Sequence, residues 1–375
     1  MTSRRDALKS AAAFAVLCAL PRAAAAQPLA PSGEPFAPRP GDWRAFSVTT
    51  RIDLAAPAGG APAQAWVPLP SIAADWQKPL GDEWSLSPGA SAKEVADPHY
   101  GARILHVVFP PGDAAPRAEI VSKVATRGRA AGPAAGSGTA AELGAQERRL
   151  NTAPTELIPT DGLVKATSDR LTAGLADDRA KARAIYEFIV ENAYRKAATR
   201  GCGTGDVASL LASGDLGGKC ADLNALFVGL LRAADIPARD LYGLRVAPSA
   251  FGYKSLGANS ASVTKAQHCR AEVWLEGKGW VAADPADVRK VILEEPPGNN
   301  AIDAGKVVAA RETLFGAWEG NWIAFNDAHD LALPGSRGPK AAFFMYPEAE
   351  VAGARLDCLD PDGFRYSITA SEIAA

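Results

Sequence analysis

The chain has 375 residues, with 40 basic against 42 acidic side chains, a net charge of −2, and 47% hydrophobic against 22% charged residues. That composition is ordinary for a globular protein and excludes disordered, collagen-like and coiled-coil classes, while the length suffices for two domains. The near-balanced charge argues against a nucleic-acid binder, which needs an electrostatic footprint on phosphate, and leaves no polybasic membrane patch.

Residues 1–26 read as a secretion address. Arg4 and Arg5 precede an apolar run over residues 11–20 and a stretch of alanines over residues 23–26, the pattern of a Tat-type signal peptide. The run is too short to span a bilayer. No integral membrane segment is therefore expected after cleavage, and the product is expected in the periplasm or outside the cell. A lipoprotein signal using Cys18 is disfavoured by the bulky Leu17 before it. Of the five cysteines, cleavage leaves Cys202, Cys220, Cys269 and Cys358, whose pairing the sequence does not choose.

Residues 27–41 are Pro-rich and are expected to form an extended leader without core. From residue 42 to 127 the pattern is alternating. Phe46, Val48, Thr50 and Ile52 share one face, and short runs recur over residues 65–69, 104–109 and 118–125, as in a small antiparallel β-sandwich. Residues 128–158 begin with a Gly- and Ala-rich stretch and are expected to be a linker. The remainder, residues 159–375, reads as a second domain.

That domain opens with helical periodicity. One amphipathic helix is expected over residues 161–175. Another follows Asp177 and Asp178, with Ala182, Ile185, Tyr186 and Ile189 on one stripe and the acidic pair at its positive end. A Gly-rich loop over residues 201–205 follows a helix rather than a strand and lacks the spacing of a dinucleotide fingerprint, so it is not expected to cradle phosphate.

The stretch Gly217-Gly218-Lys219-Cys220-Ala221-Asp222 carries the strongest chemical signal. Leu223, Leu226, Phe227, Leu230 and Leu231 recur at helical spacing directly after it, so a buried helix begins at or beside Cys220. A thiol there feels the positive end of the helix dipole, which lowers its pKa. A buried structural cysteine is the alternative, and a downstream base decides between them. Among the four histidines, His99 and His106 lie in the N-terminal domain and His329 follows an aromatic run as a surface residue or groove wall. His268 opens a strand whose apolar face is Cys269, Ala271, Val273 and Leu275. Its other face, with Arg270, Glu272 and Trp274, is expected to turn toward a cleft, a suitable place for a general base.

Asp284, at the end of the next strand and before Pro285, is the natural group to orient the imidazole. A three-residue loop over residues 277–279 puts it on the same face as His268 but opposite Glu272, about 13 Å away along the strand at about 3.4 Å per residue. A bulge or a shifted register has to close that distance. Zinc ligation by Cys202, Cys220, His268 and Cys269 is disfavoured, because neither Cys-x-x-Cys nor His-Glu-x-x-His occurs. No cofactor is expected. Residues 313–373, with strand-like runs at 341–345 and 364–368, are expected to complete the sheet and wall of the second domain.

Three blocks, residues 217–226, 229–239 and 268–285, resemble bacterial transglutaminase-like proteins of the papain-like cysteine-catalytic superfamily, over a span from near Ala180 to near Lys290. The resemblance implies an α+β fold: an N-terminal β-sandwich followed by a domain whose central nucleophile helix packs on an antiparallel sheet. It matches Cys220 with the nucleophile, His268 with the general base and Asp284 with the residue that orients it. Asp235 stands where family members often have Gly. The implied activity is hydrolysis of a peptide or amide bond through a thioester, with the oxyanion held by the Cys220 N–H and one further donor, sought in residues 201–206. Acyl transfer from glutamine to an amine uses the same triad, and a non-catalytic binding module is the remaining alternative. The expected partner is a peptide or protein substrate.

Overall fold

The computed structural model describes residues 36–130 and 142–374. The Tat-type signal expected in residues 1–26 and most of the glycine-rich stretch after residue 130 lie outside them. Six strands follow one another from residue 44: Arg44–Asp53, Ala63–Leu69, Gln77–Leu86, Ser91–Ala96, Arg103–Phe109 and Arg117–Thr126. They divide between two antiparallel sheets that face each other across Ile52, Val67, Leu69, Leu105, Val107, Phe109 and Ile120, all nearly or fully buried. Alternation places these side chains inward, because successive residues of a strand point to opposite faces. Gln77–Leu86 and Ser91–Ala96, which the sequence pattern passes over, are largely exposed. Strands of mostly polar, solvent-facing residues leave little hydrophobic alternation to read.

The C-terminal segment divides between two places. Trp322–Asn326 joins the four-stranded antiparallel sheet made with Gly279–Ala283, Gln267–Leu275 and Ala238–Arg245. Glu348–Val351 instead pairs with Ala63–Leu69, and Arg365–Ile373 pairs with Arg44–Asp53 over nine residues, from Ala45 opposite Ile373 to Asp53 opposite Arg365. The expectation for residues 313–373 holds in part: Trp322–Asn326 completes the sheet on which Cys220–Ala233 packs, whereas Glu348–Val351 and Arg365–Ile373 complete the N-terminal sheets. The gain is plain: the pairing covers a strand edge that would otherwise present unpaired N–H and C=O groups. Which edge accepts a given alternating strand is a tertiary matter that its own pattern does not encode.

Two short segments bind the halves further. Phe36, in the stretch expected to carry no core, is buried against Phe251 and Tyr253, with ring centroids at 5.4 and 4.6 Å. Arg129–Ala130, at the start of the expected linker, pairs with Ala317–Trp318.

The helices follow their sequence signals more closely. Gly162–Thr172 and Asp178–Asn192 form, and the Asp177 carboxylate caps the second by accepting from the Ala180 N–H at 2.9 Å. Cys220–Ala233 is buried along its whole length and packs on the strand Gln267–Leu275. It ends at Asp235, whose φ of +59° is the left-handed conformation that glycine adopts without penalty.

Candidate active site

The site is assembled at the N-terminus of the helix Cys220–Ala233. Gly217 and Gly218 pair in parallel with Tyr194 and Arg195, and a Cβ on Gly218 would stand 2.5 Å from the Cβ of Asp222. Glycine is therefore required here by close approach. Asp222 acts as a clamp. Its Oδ1 accepts from the Thr204 and Gly205 N–H groups at 2.9 and 3.0 Å, and its Oδ2 accepts from the Lys219 N–H at 3.0 Å. The glycine-rich loop is thereby tied to the helix start, and the Ala221 N–H donates to the Cys202 carbonyl at 2.9 Å. Asp222 is thus a structural residue. It also occupies two of the loop N–H groups considered as oxyanion donors.

Cys220 is the first helical residue and is 3% exposed. Its thiol lies among those of Cys202 and Cys269, both buried, and none of the four described cysteines forms a disulfide. Hydrogen bonds from Cys202 and Cys269, opposed by burial and reinforced by His268, hold the Cys220 thiol well below its usual range. Burial and the neighbouring Cys202 and Cys220 sulfurs push Cys269 up. Among these three thiols Cys220 is thus the one stabilised as thiolate.

His268 sits at the start of its strand, 3% exposed, with Nε2 at 2.7 Å from Asp284 Oδ2. Burial and the Arg245 guanidinium push the imidazole down. The carboxylates of Asp287 and Asp284 outweigh them and raise it to about 9. With Nε2 committed to the carboxylate, Nδ1 is the ring nitrogen left for Cys220.

The distance problem between His268 and Asp284 is solved by register. The hairpin closes at Leu275 opposite Gly279, through Glu276-Gly277-Lys278, with Gly277 and Gly279 at φ of +72° and +78°. Closing one residue earlier on each strand than the reading above moves Asp284 two positions toward His268. Ala271 faces Ala283, so the chain reaches Asp284 level with Arg270. There it leaves the strand and caps the helix Pro285–Glu294, its Oδ1 accepting from the Asp287 N–H at 3.0 Å.

Asp287, Arg245 and Asn224 complete the arrangement and were not singled out from sequence. Asp287 Oδ2 is 3.4 Å from His268 Nε2, and both Asp287 oxygens accept from Arg245 Nη2, at 2.6 and 2.8 Å. Asn224 donates to the Cys269 carbonyl at 2.9 Å and to Asp284 Oδ1 at 3.3 Å, joining helix to sheet. The Asp-Pro-x-Asp spacing was the available signal for Asp287, one helical turn beyond Asp284; Arg245 had none. His268, Asp284 and Asp287 come close enough together to present ligands to a cation. Their carboxylates are already matched by Arg245, by Arg270 at 3.7 Å and by His268 itself. A divalent ion would enter against those cations, and the set does not suit it.

Two sequence expectations are corrected. The polar face of the strand Gln267–Leu275 meets a cavity only at its His268 end; Arg270, Glu272 and Trp274, further along that face, are buried and line no cleft. Arg270 lies against the rings of Trp318 and Trp322 at 5.1 and 4.8 Å, and Glu272 pairs with Arg129 and with Arg239. A second sheet face covered by aromatic residues from distant parts of the chain leaves no mark in local alternation. His329 is likewise buried, with Nδ1 at 3.4 Å from the Tyr242 hydroxyl.

The open side of the site is a cavity of about 550 Å³ bounded by Cys202, Cys220, Gln267, His268, Tyr346 and Cys358, with basic residues around its rim. The Gln267 carboxamide has no hydrogen-bond partner for its Nε2.

Residues 165–285 match the family model of the Transglutaminase-like superfamily. The chain is 40% identical over 225 residues to an uncharacterized protein of Haemophilus influenzae, covering 58% of this chain; it spans about 60% of that relative's length. It is similar to a solved structure of a candidate cysteine protease from Cytophaga hutchinsonii, with TM-score 0.48 and 14% identity, over 88% of this chain and 99% of that one. It is also similar to the periplasmic domain of TgpA from Pseudomonas aeruginosa, with TM-score 0.32 and 17% identity, over 66% of this chain and 88% of that one. The segment matched by the family model, residues 165–285, holds the helix Cys220–Ala233 and the strands Ala238–Arg245, Gln267–Leu275 and Gly279–Ala283, so it is in this helix-on-sheet segment that the chain is similar to the Transglutaminase-like superfamily.

Proposed function

We propose that this chain is an exported cysteine-dependent hydrolase of peptide or amide bonds, acting through Cys220, His268 and Asp284. The observation that carries the reading is a depressed thiol at a helix N-terminus beside an imidazole whose other nitrogen is held 2.7 Å from a buried carboxylate. In the resting pair Cys220 is thiolate and His268 imidazolium. The thiolate attacks the carbonyl carbon, and the negative charge moves to the carbonyl oxygen. The Cys220 N–H, in the first helical turn, has no intrahelical acceptor and serves that oxygen. The Gln267 carboxamide, unpartnered at Nε2 on the same cavity wall, supplies the second donor.

As the C–N bond breaks, His268 delivers its proton to the leaving amine, and a thioester on Cys220 remains. Neutral His268 then takes a proton from water, whose oxygen attacks the thioester. The C–S bond breaks, and thiolate and imidazolium are restored. Asp284 holds the ring and stabilises its charge throughout. An amine in place of water turns the same cycle into acyl transfer. The export half of the proposal rests on the twin-arginine segment of residues 1–26. Among the described residues no helix is long and apolar enough to cross a membrane.

The test is a peptide library incubated with wild-type protein and with Cys220→Ala. Cleavage is expected only in the wild type, with a transient mass on Cys220 equal to the acyl fragment. Equal cleavage by both proteins overturns the mechanism. Products joined to an added amine in preference to water would place the chain among acyltransferases.

A further inference from the structure

The cavity beside Cys220 has an unusual charge. Arg195, Arg200, Lys219, Lys265 and Lys290 line it together with the buried Arg245, and no aspartate or glutamate does so among the described residues. Arg245 is neutralised by Asp287. The other five cations meet only two carboxylates: Glu294, shared by Arg195 and Lys290, and Asp357, which pairs with Arg200. Lys219 and Lys265 have no ion pair among the described residues. Burial above all, with a further push from the nearby Arg245, brings Lys290 down to about 8.

We propose that the substrate of this site is an acidic peptide, one that carries free carboxylates next to the scissile amide and seats them against Lys219, Lys265 and Lys290. The assignment rests on the hydrolase reading above and narrows it. Its physical basis is simple. A concave wall of one charge sign, partly shielded from water, concentrates ligands of the opposite sign and orients them as they enter. A neutral substrate would leave the excess positive charge of the cavity uncompensated as it displaced water. Carboxylates supply that compensation, and the backbone amide between them is delivered to the thiol.

Two measurements decide the matter. The first compares alkylation of Cys220 by iodoacetate, an anion, with alkylation by iodoacetamide, its neutral counterpart, using free cysteine in the same buffer as reference. At low ionic strength the anion-to-neutral rate ratio is expected to exceed the reference by about tenfold, and to fall several-fold in about 0.5 M salt, where the screening length is only a few ångström. The His268 imidazolium contributes to that ratio, so the deciding arm is the Lys219→Gln/Lys265→Glu double variant. A drop of at least about threefold in the ratio supports the proposal; an unchanged ratio overturns it.

The second measurement needs no nucleophile. The end-blocked tetrapeptides Ala-Glu-Ala-Glu and Ala-Gln-Ala-Gln are titrated into the Cys220→Ala protein. Binding of the acidic peptide at least about tenfold tighter, lost in the charge variant, supports the proposal, and equal affinity overturns it. If neither alkylating agent labels Cys220 while the acidic peptide still binds selectively, the hydrolase reading fails and the acidic-ligand site stands.

Discussion

The two ends of the strand Gln267–Leu275 hold similar residues in opposite circumstances. Toward Glu272, the charges are closed upon themselves: Glu272 meets Arg129 and Arg239, Arg239 also reaches Asp327 at 3.3 Å, and Arg270 donates to the Glu319 carbonyl at 3.1 Å between two tryptophans. Toward His268, the same strand opens on a cavity whose cations outnumber their carboxylates. Buried ions that satisfy one another hold a conformation and have nothing left for a ligand. A titratable pair next to an unbalanced, accessible wall is the arrangement suited to chemistry. Charge type does not separate the two regions; whether each charge finds its partner inside the protein does.

The comparison breaks most sharply at Cys220. Its replacement by Ala is expected to cost about 10⁴-fold or more in kcat/KM, while the unfolding temperature barely moves. At the other end the reverse should hold. Glu272→Met leaves Arg129 and Arg239 buried without their shared carboxylate, and a loss of about 3–5 kcal/mol is expected in denaturant unfolding. The turnover of the molecules that remain folded should be retained. A Glu272→Met protein of normal stability would show that this network is not what holds the far face.

The pH profile sharpens the comparison at the His268 end. His268 is raised to about 9 and Cys220 lowered, so kcat/KM should rise with the thiolate at low pH and decline as pH passes through about 9, when the imidazolium loses the proton owed to the leaving amine. Linkage has the same sign. A histidine whose folded pKa lies above its unfolded value stabilises the fold fully below about 6.5, and that contribution fades as pH rises through about 9. Asp287→Asn removes one of the two carboxylates that raise the imidazole and should move the alkaline limb of the rate profile downward. A limb that stays in place would leave Asp284 alone responsible. The smallest effect is expected at Asp235, where Gly relieves a left-handed conformation and should stabilise by about 0.5–1 kcal/mol in thermal unfolding.

Much of the candidate site is legible in the sequence, because its parts are local. A Gly-Gly turn followed by apolar residues at helical spacing is enough to start a helix at Cys220, and Asp-Pro after a short strand is enough to stop that strand at Asp284. The hairpin register was not legible to the residue. Two positive-φ glycines allowed either closure, and only the packed structure shows Leu275 opposite Gly279. Arg245 and Asn224 come from segments whose own periodicity is satisfied without them. Gln77–Leu86 and Ser91–Ala96 were silent because an exposed strand has no apolar face to reveal.

What the sequence determined by itself was the chemistry available: the order of thiol, imidazole and carboxylate, the helix beneath the first, and an alternating N-terminal region able to form sheets. Tertiary structure decided which groups meet. It sent the last strand back to the first, buried the polar face around Arg270 under tryptophans, and gathered lysines and arginines from distant segments around one cavity. The physical reason is one of range. Helix capping, turns and periodicity are set within a few residues of chain, whereas edge pairing and the balance of charge around a cavity depend on residues that only the folded chain brings together.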